Sequence, residues 1–382
     1  MDPKTIVIVA GEVSGDMHGA NVVRALKSQD NSLFICGVGS RAMRAAGAKI
    51  LIDADELAVV GITEAIAKAP GLLKARNQLK RLLAGLKPNL LILIDFPDFN
   101  LHMAKIAKNL GIPVLYYISP QIWAWRAGRV KKIKATVDHM AVILPFETSF
   151  YQKHDVPVTF VGHPLMDRLS TSTCSVDFKP LMPNQPVVGL LPGSRDREVN
   201  SLLPTMLQAA KLLQNDLTNI QFRVSCAPSI DRAHIADLIA KHPLDNIEIS
   251  NEPVSDLFAK CHLAIVASGT VTLEAALCVT PMIITYAISP ISYWLGRLLI
   301  HVEHIGLVNL IAEKRIVPEL VQKEATPVKI YRQAHQILTD NQRYQQTCKN
   351  LLQVRDRLGQ PGAAQKVAQI AINLMTNDSL KK

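Results

Sequence analysis

The chain has 382 residues, 48% hydrophobic and 19% charged, with a formal net charge of +10, enough for two or three domains with large cores. No apolar run reaches the roughly 18–20 uncharged residues of a membrane-spanning helix, and Met1-Asp2-Pro3-Lys4 leads into a strand without the regions of a secretory leader. The expectation is therefore a cytoplasmic protein of ordinary α/β composition.

A first apolar strand, Ile6 to Ala10, runs into the turn G-E-V-S-G-D (Gly11 to Asp16) and a helix ending near Lys27. A dinucleotide fold carries its glycine loop here, but the G-x-G-x-x-G spacing is missing and Glu12 and Asp16 would repel a pyrophosphate. The turn is better suited to hydroxyl groups, or to a polar turn in which Ser14 or Asp16 caps the helix. A strand at Leu33 to Val38 and a helix from Arg41 follow. In the segment Ile62 to Leu86 apolar residues alternate with Lys68, Lys74, Arg76, Lys80 and Arg81, with clear helical periodicity from Leu72. This fits a surface helix dipping into anionic lipid, a cradle for acyl chains, or an amphipathic core helix.

Leu90 to Ile94 is the most apolar strand of the first half, and I-D-F-P-D-F-N (Ile94 to Asn100) ends it. A carboxylate at the carboxyl end of a buried strand is partly desolvated, so Asp95 should have a raised pKa, suited to taking a proton from a hydroxyl near neutral pH. Asp98 and Asn100 suit either the site or the cap of the next helix. After a helix (Leu101 to Asn109) and a strand (Pro113 to Ile118), the stretch Tyr116 to Arg126 reads Y-Y-I-S-P-Q-I-W-A-W-R. Trp123 and Trp125 are followed by Arg126, Arg129, Lys131, Lys132 and Lys134, a mixture that suits nucleic acid, a membrane surface, or core tryptophans beside a solvated helix. A helix (Arg129 to Ala135) and a strand (His139 to Leu144) complete this half. Short, continuously apolar strands between helices predict a parallel sheet covered on both faces.

From Ser170 to Pro186 the pattern dissolves into S-T-S-T-C-S and three prolines, which marks a linker. Strands then resume at Val187 to Leu191, Gln221 to Ser225, Ile247 to Ile249, Leu263 to Val266 and Met282 to Thr285. Two junctions share one design. L-L-P-G-S-R-D-R-E-V (Leu190 to Val199) breaks a strand at Pro192-Gly193 and presents Ser194 and Arg195 before a helix. A-S-G-T-V-T-L-E-A-A places Ser268, Gly269 and Thr270 before a helix that contains Glu274. Bare backbone N–H groups and helix N-termini favour a diphosphate, and a carboxylate one turn into the second helix suits the hydroxyls of a ribose. An apolar-basic patch lies at Ile288 to Ile300, and the last 50 residues are helical in pattern. The predicted architecture is two Rossmann-like domains facing a cleft: residues 1–170, a linker at 171–186, a second domain at 187–345, and C-terminal helices at 346–382 packing back on the first. Ligands belong beyond the carboxyl ends of the strands.

Between Ala65 and Lys134 there are thirteen Lys or Arg and two acids, Asp95 and Asp98. That concentration calls for an anionic partner: nucleic acid, lipid headgroups or a phosphorylated substrate. The six cysteines have no C-x-x-C pair and read as reduced apolar fillers. His18, His102, His163 and His301 lack the spacing of a metal site, and no D-x-D is placed to hold Mg²⁺ on a sugar nucleotide. Neither a metal nor another cofactor is expected, so Arg195 and helix N-termini would neutralise a departing diphosphate.

Taken together, these segments resemble the lipid-A-disaccharide synthase family. The matching pieces are G-E-V-S-G-D (11–16), E-L-A-V-V-G (56–61), I-D-F-P-D-F-N (94–100), Y-I-S-P-Q-I-W-A-W-R (117–126), L-P-F-E (144–147), V-G-H-P (161–164), L-L-P-G-S-R (190–195), S-G-T-V-T-L-E (268–274) and V-N-L-I (308–311). Val308 stands where the family pattern has proline, and the Gly39-Ser40-Arg41 turn matches only loosely. The resemblance implies a GT-B fold and inverting, metal-independent transfer of 2,3-diacylglucosamine from its UDP derivative to the 6-hydroxyl of 2,3-diacylglucosamine 1-phosphate. The products would be a β-1,6 disaccharide and UDP. In this scheme Asp95 is the base, with Glu12 as the alternative. Ser194, Arg195, Ser268, Gly269, Thr270, Glu274 and Asn309 serve the nucleotide, and Asp16, Asp98, Trp123, Trp125, Arg126 and Arg129 serve the acceptor or the membrane. The partners expected are the two acylated sugars and the cytoplasmic face of the inner membrane, bound peripherally, with no nucleic acid; a homodimer is left open. Competing readings are a related glycosyltransferase acting on a lipid-linked precursor, a UDP-sugar 2-epimerase of the same double fold, and a nucleic-acid binder.

Overall fold

The computed structural model describes residues 4–54, 62–125, 127–169, 185–217, 219–287 and 303–377. The chain divides into two compact units, Met1–Asp167 with Gly359–Lys382, and Arg168–Leu358.

In the first unit seven strands alternate with helices: β1 (Thr5–Ala10), β2 (Phe34–Gly39), β3 (Lys49–Asp53), β4 (Leu90–Ile94), β5 (Val114–Tyr117), β6 (His139–Val142) and β7 (Val158–Phe160). They form one sheet in the order β3-β2-β1-β4-β5-β6-β7, parallel throughout. The connecting helices are α1 (Val13–Gln29), α2 (Arg41–Ala45), α3 (Ile62–Leu86), α4 (Pro97–Asn109), α5 (Ile122–Trp125), α6 (Val130–Thr136), α7 (Pro145–Gln152) and α8 (Leu165–Leu169). Alternate residues of each strand point to opposite faces. Val7, Val9, Leu91, Leu93 and Tyr116 meet Leu79, Leu83, Met103 and Ile133 on one side. Ile6, Ile8, Leu90, Ile92 and Tyr117 meet Val22, Val23 and Leu26 of α1 on the other, together with Ala364, Val367, Ala368 and Ala371 of the last helix. Two buried faces explain why these strands are apolar without a break.

The second unit repeats the pattern with β8 (Val187–Leu191), β9 (Gln221–Ser225), β10 (Ile247–Ser250), β11 (Leu263–Ala267), β12 (Met282–Tyr286) and β13 (Glu319–Val321), in the order β10-β9-β8-β11-β12-β13. Its helices include α9 (Asp196–Asp216), α10 (Arg232–Ala240), α11 (Val254–Lys260) and α12 (Val271–Leu277). Both sheets reverse their winding once, between β1 and β4 and between β8 and β11. At such a switch point adjacent connections leave in opposite directions and open a crevice beyond the strand ends.

Three expectations change. The helix Asn341–Arg357 stays with the second unit, and only Ala363–Asn377 returns to the first. The buried Leu351 and Val354 of Asn341–Arg357 are apolar anchors. Arg355 also donates to the carbonyl of Leu277 and Arg357 to that of Ile311, at 2.8 and 2.7 Å, capping two helix C-termini. Strands β3, β7 and β13 were not expected, being short and at or next to sheet edges. Cys36, Cys226, Cys261 and Cys348 take part in no disulfide, whereas Cys278 is disulfide-bonded rather than reduced. Most of the expected linker, the segment E-L-A-V-V-G and the patch 288–300 lie outside the described residues.

Candidate active site

The turn that ends β4 is unusual. Asp95 and Phe96 both take left-handed backbone conformations, φ 46° and 48°, which side chains with a Cβ rarely adopt. Three hydrogen bonds hold the strain. Buried Asn100 donates to the carbonyls of Ile94 (3.1 Å) and Asp95 (2.7 Å), and the Tyr116 hydroxyl donates to the Asp95 carbonyl at 2.7 Å. Strained backbone maintained by its surroundings is concentrated at functional sites. Ile118, just past β5 on the neighbouring strand, is also left-handed at φ 63°.

Gly11, opening the turn after β1, completes the arrangement. A Cβ there would come within 2.4 Å of the Phe96 ring, so only glycine lets the two turns close on each other. They meet because Ala10 lies opposite Ile94 across the β1–β4 pair. Glu12, exposed at the N-terminus of α1, is close enough to influence Asp95 electrostatically. Burial, and secondly the Glu12 charge, push the half-buried Asp95 carboxyl up from 3.8 to about 6, against a backbone N–H from Phe96. At neutral pH the group is ionised yet only weakly acidic when protonated, the condition a general base needs.

The other carboxylates of these motifs are already engaged. Asp16 is buried and accepts from the backbone N–H groups of Ser40 (2.7 Å), Ala42 (2.8 Å) and Met43 (3.2 Å). It caps the start of α2 and tethers it to α1, so its expected acceptor contact has no support in this geometry. Asp98 is exposed in the first turn of α4 and pairs with Arg129 at 2.8 Å. Trp123 is half-buried. Its indole N–H donates to Glu147 at 3.2 Å and its ring meets Phe146 edge-on at 4.7 Å. Glu147, to which no role was given from the sequence, is buried, and desolvation raises it from 4.5 to about 7. Trp125 belongs to α5, but its side chain and Arg126 lie outside the described residues.

In the second unit the two small-residue turns are neighbours, since Leu191 lies opposite Val266 across the β8–β11 pair. Gly193 has φ +118°, and a Cβ there would reach 2.2 Å from a Glu198 carboxylate oxygen. That carboxylate accepts from the Ser194 N–H at 3.1 Å and lies 3.5 Å from the Arg195 guanidinium. An acidic group of the chain itself thus accepts from the backbone of this turn. Arg195 remains 74% exposed. Ser229 donates to the Ser194 carbonyl at 2.7 Å and braces the loop. Nothing stands within 4 Å of a Cβ added to Gly269. Gly269 and Thr270 are exposed, and Ser268 and Glu274 half-buried. Glu198 was legible only as part of a motif; its i,i+4 reach back to Ser194 was the available signal.

Asn309 departs from the expected nucleotide contact. It is wholly buried, donates to the Val317 carbonyl and to Glu319, and accepts from the N–H groups of Ile316 and Val317 at 2.7–3.1 Å. With both amide hydrogens and both oxygen lone pairs used, it holds the 316–319 segment against the helix Leu307–Ala312. On the first unit the basic residues gather as expected: Arg76 of α3, Lys105 of α4 and Lys132 of α6 all bear on His102, depressing its pKa after burial has done so. No described helix is long and apolar enough to cross a membrane.

Comparison with known proteins adds an independent line. Residues 6–373 match the model of a family described as lipid-A-disaccharide synthetase. The chain is 46% identical over 375 residues to the lipid-A-disaccharide synthase of Geobacter metallireducens, covering 97% of each. With that of Coxiella burnetii (strain Dugway 5J108-111) it shares 43% over 379 residues, 98% of this chain and all of the relative. Among solved structures it resembles the UDP-GlcNAc 2-epimerase of Neisseria meningitidis bound to UDP-GlcNAc, with a TM-score of 0.64, 13% identity and coverage of 98% and 100%. It also resembles the MurG protein of Acinetobacter baumannii, with a TM-score of 0.61, 17% identity and coverage of 97% and 99%. These structural likenesses speak for the fold alone.

Proposed function

Because the chain belongs to the lipid-A-disaccharide synthetase family, we propose that it moves 2,3-diacylglucosamine from UDP to the 6-hydroxyl of 2,3-diacylglucosamine 1-phosphate, using Asp95 as the base. It is a glycosyltransferase of GT-B fold acting in lipid A biosynthesis, with a UDP-sugar as donor and a sugar as acceptor. The epimerase reading keeps only a likeness of fold.

The acceptor binds at the β1–β4 edge of the first unit and UDP at the β8–β11 edge of the second. Asp95 takes the proton as the acceptor oxygen attacks the anomeric carbon. The new carbon–oxygen bond forms as the bond to the diphosphate breaks, in one inverting displacement that yields the β linkage. Ser194, Arg195 and the Ser268-Gly269-Thr270 turn take up the charge of the leaving diphosphate, and Glu274 holds the ribose. Arg129 is placed for the acceptor's 1-phosphate; meeting it would open the pair with Asp98. Asn309 supports the nucleotide side indirectly, through the segment it anchors. The cluster around His102 would meet anionic headgroups at the cytoplasmic face of the inner membrane, a contact weakened by salt.

The observation that carries this reading is the strained Asp95 turn, a carboxyl titrating near 6 at the switch point beside Glu12. The test is to incubate purified protein with the two acylated sugars and follow UDP release together with the mass of the lipid product. Release of UDP with a disaccharide 1-phosphate is expected. UDP-sugar consumed without disaccharide, or interconverted to its 2-epimer, would overturn the reading.

A further inference from the structure

The buried carboxylate of Glu147 has no part in the chemistry above. It stands at the start of α7, where Leu144 offers no capping side chain, and one oxygen, Oε2, reaches back to the Leu144 N–H at 3.1 Å. That half of a capping box needs a single acceptor. The other oxygen, Oε1, accepts from the Trp123 indole N–H at 3.2 Å, across 24 residues of sequence. Ser119, which opens the S-P-x-x-W stretch, donates to the Pro120 carbonyl at 3.0 Å and lies 2.7 Å from the Tyr151 hydroxyl, near enough to favour the charged Glu147 carboxylate. Burying a carboxyl is unfavourable, and capping α7 does not require the second oxygen to face Trp123. Trp123 sits just beyond β5, the strand next to β4, on the same sheet edge as Asp95. Its N–H is held by Glu147 and its ring lies 4.7 Å from that of Phe146 at a steep angle of 80°, yet the side chain is only half-buried.

We propose that Glu147 is a positioning residue for the acceptor: it locks the Trp123 indole, so that the ring presents a fixed flat wall to the acceptor sugar. This rests on the acceptor lying in the first unit. Aromatic faces gain most from a partner when their orientation is set beforehand.

The test compares Glu147→Ala, Glu147→Gln, Trp123→Phe and the double variant Glu147→Ala/Trp123→Phe, with KM measured separately for acceptor and UDP-sugar donor. Acceptor binding is also followed by direct titration without donor. Glu147→Ala and Trp123→Phe should each weaken acceptor binding by about tenfold, the equivalent of one lost hydrogen bond, with donor KM within about twofold of wild type. The double variant should be no worse than the weaker-binding single. Glu147→Gln, whose Oε1 still accepts from the indole, should restore most of the affinity while melting at a lower temperature, because Leu144 loses its acceptor. Should Glu147→Ala fail to fold, Trp123→Phe and Glu147→Gln still decide the matter. Unchanged acceptor affinity in Trp123→Phe, equal losses for donor and acceptor, or losses that multiply in the double variant would overturn the proposal. Wild-type protein that binds acceptor but makes no disaccharide would instead count against the proposed function.

Discussion

At the scale of single residues, Asp95 carries the sharpest expectations. Asp95→Asn should lower turnover by about 10²–10⁴-fold, the usual loss when a general base is removed, with the fold retained. In the wild type the rate should fall as pH drops through about 6, where Asp95 takes up its proton. Glu12→Gln removes the like charge that helps to raise Asp95, so the acid limb should move to lower pH. If Glu12 were the base, Glu12→Gln would abolish turnover and Asp95→Asn would spare it. The same shift bears on stability. The folded state keeps the Asp95 proton up to about 6 while the unfolded chain releases it near 3.8, so this group lowers stability as pH rises across that window. Asn309 tests the opposite assignment. As a saturated buried amide, its change to Ala should destabilise the protein by about 1–3 kcal/mol, the range for stranding buried partners, read as a lower denaturant midpoint. A loss of UDP affinity at unchanged stability would restore the direct contact.

Two turns of different construction do the work at the scale of elements. In the first unit the turn after β4 holds left-handed backbone without glycine, fastened by Asn100 and Tyr116 from neighbouring elements. In the second the turn after β8 uses a true glycine, and Glu198 from the first turn of α9 fills it. Gly193→Ala puts a methyl group against Glu198 in a backbone region costing non-glycine residues about 1–3 kcal/mol. It should weaken UDP binding, measured by calorimetry, more than it lowers the melting temperature. Arg195→Ala should reduce turnover by about 10²–10³-fold if the guanidinium neutralises the departing diphosphate. A smaller loss would shift that role to the backbone N–H groups. The motifs of both turns were visible in the sequence because each follows an apolar strand and opens a helix. Their inner fastenings were less so: Tyr116 is an ordinary polar residue until strand order brings the Asp95 carbonyl to it, and only the short reach of Glu198 back to Ser194 was a local signal.

For the whole molecule, the stretch from Ala65 to Lys134 alone carries more positive charge than the net +10 of the chain, and three helices bring Arg76, Lys105 and Lys132 together near His102. The protein should sediment with anionic vesicles and not with neutral ones. Binding should fade as salt shortens the screening length below about 10 Å and should drop further in Lys105→Glu/Lys132→Glu. Equal binding to neutral vesicles would point to apolar insertion instead. By itself the sequence determined the alternation of buried strands and helices, the doubling of the fold, the two phosphate-type turns and the family, because continuous apolar runs and small-residue turns are local signals. Only the tertiary structure decided that Asp95 and Glu12 share one strand edge, that Asp16 and Asn309 are taken up by the backbone, and that Glu147 stands behind Trp123. All but the Asn309 contacts, which reach only seven to ten residues along the chain, join residues distant in sequence, and which polar atoms end up paired is something no local pattern encodes.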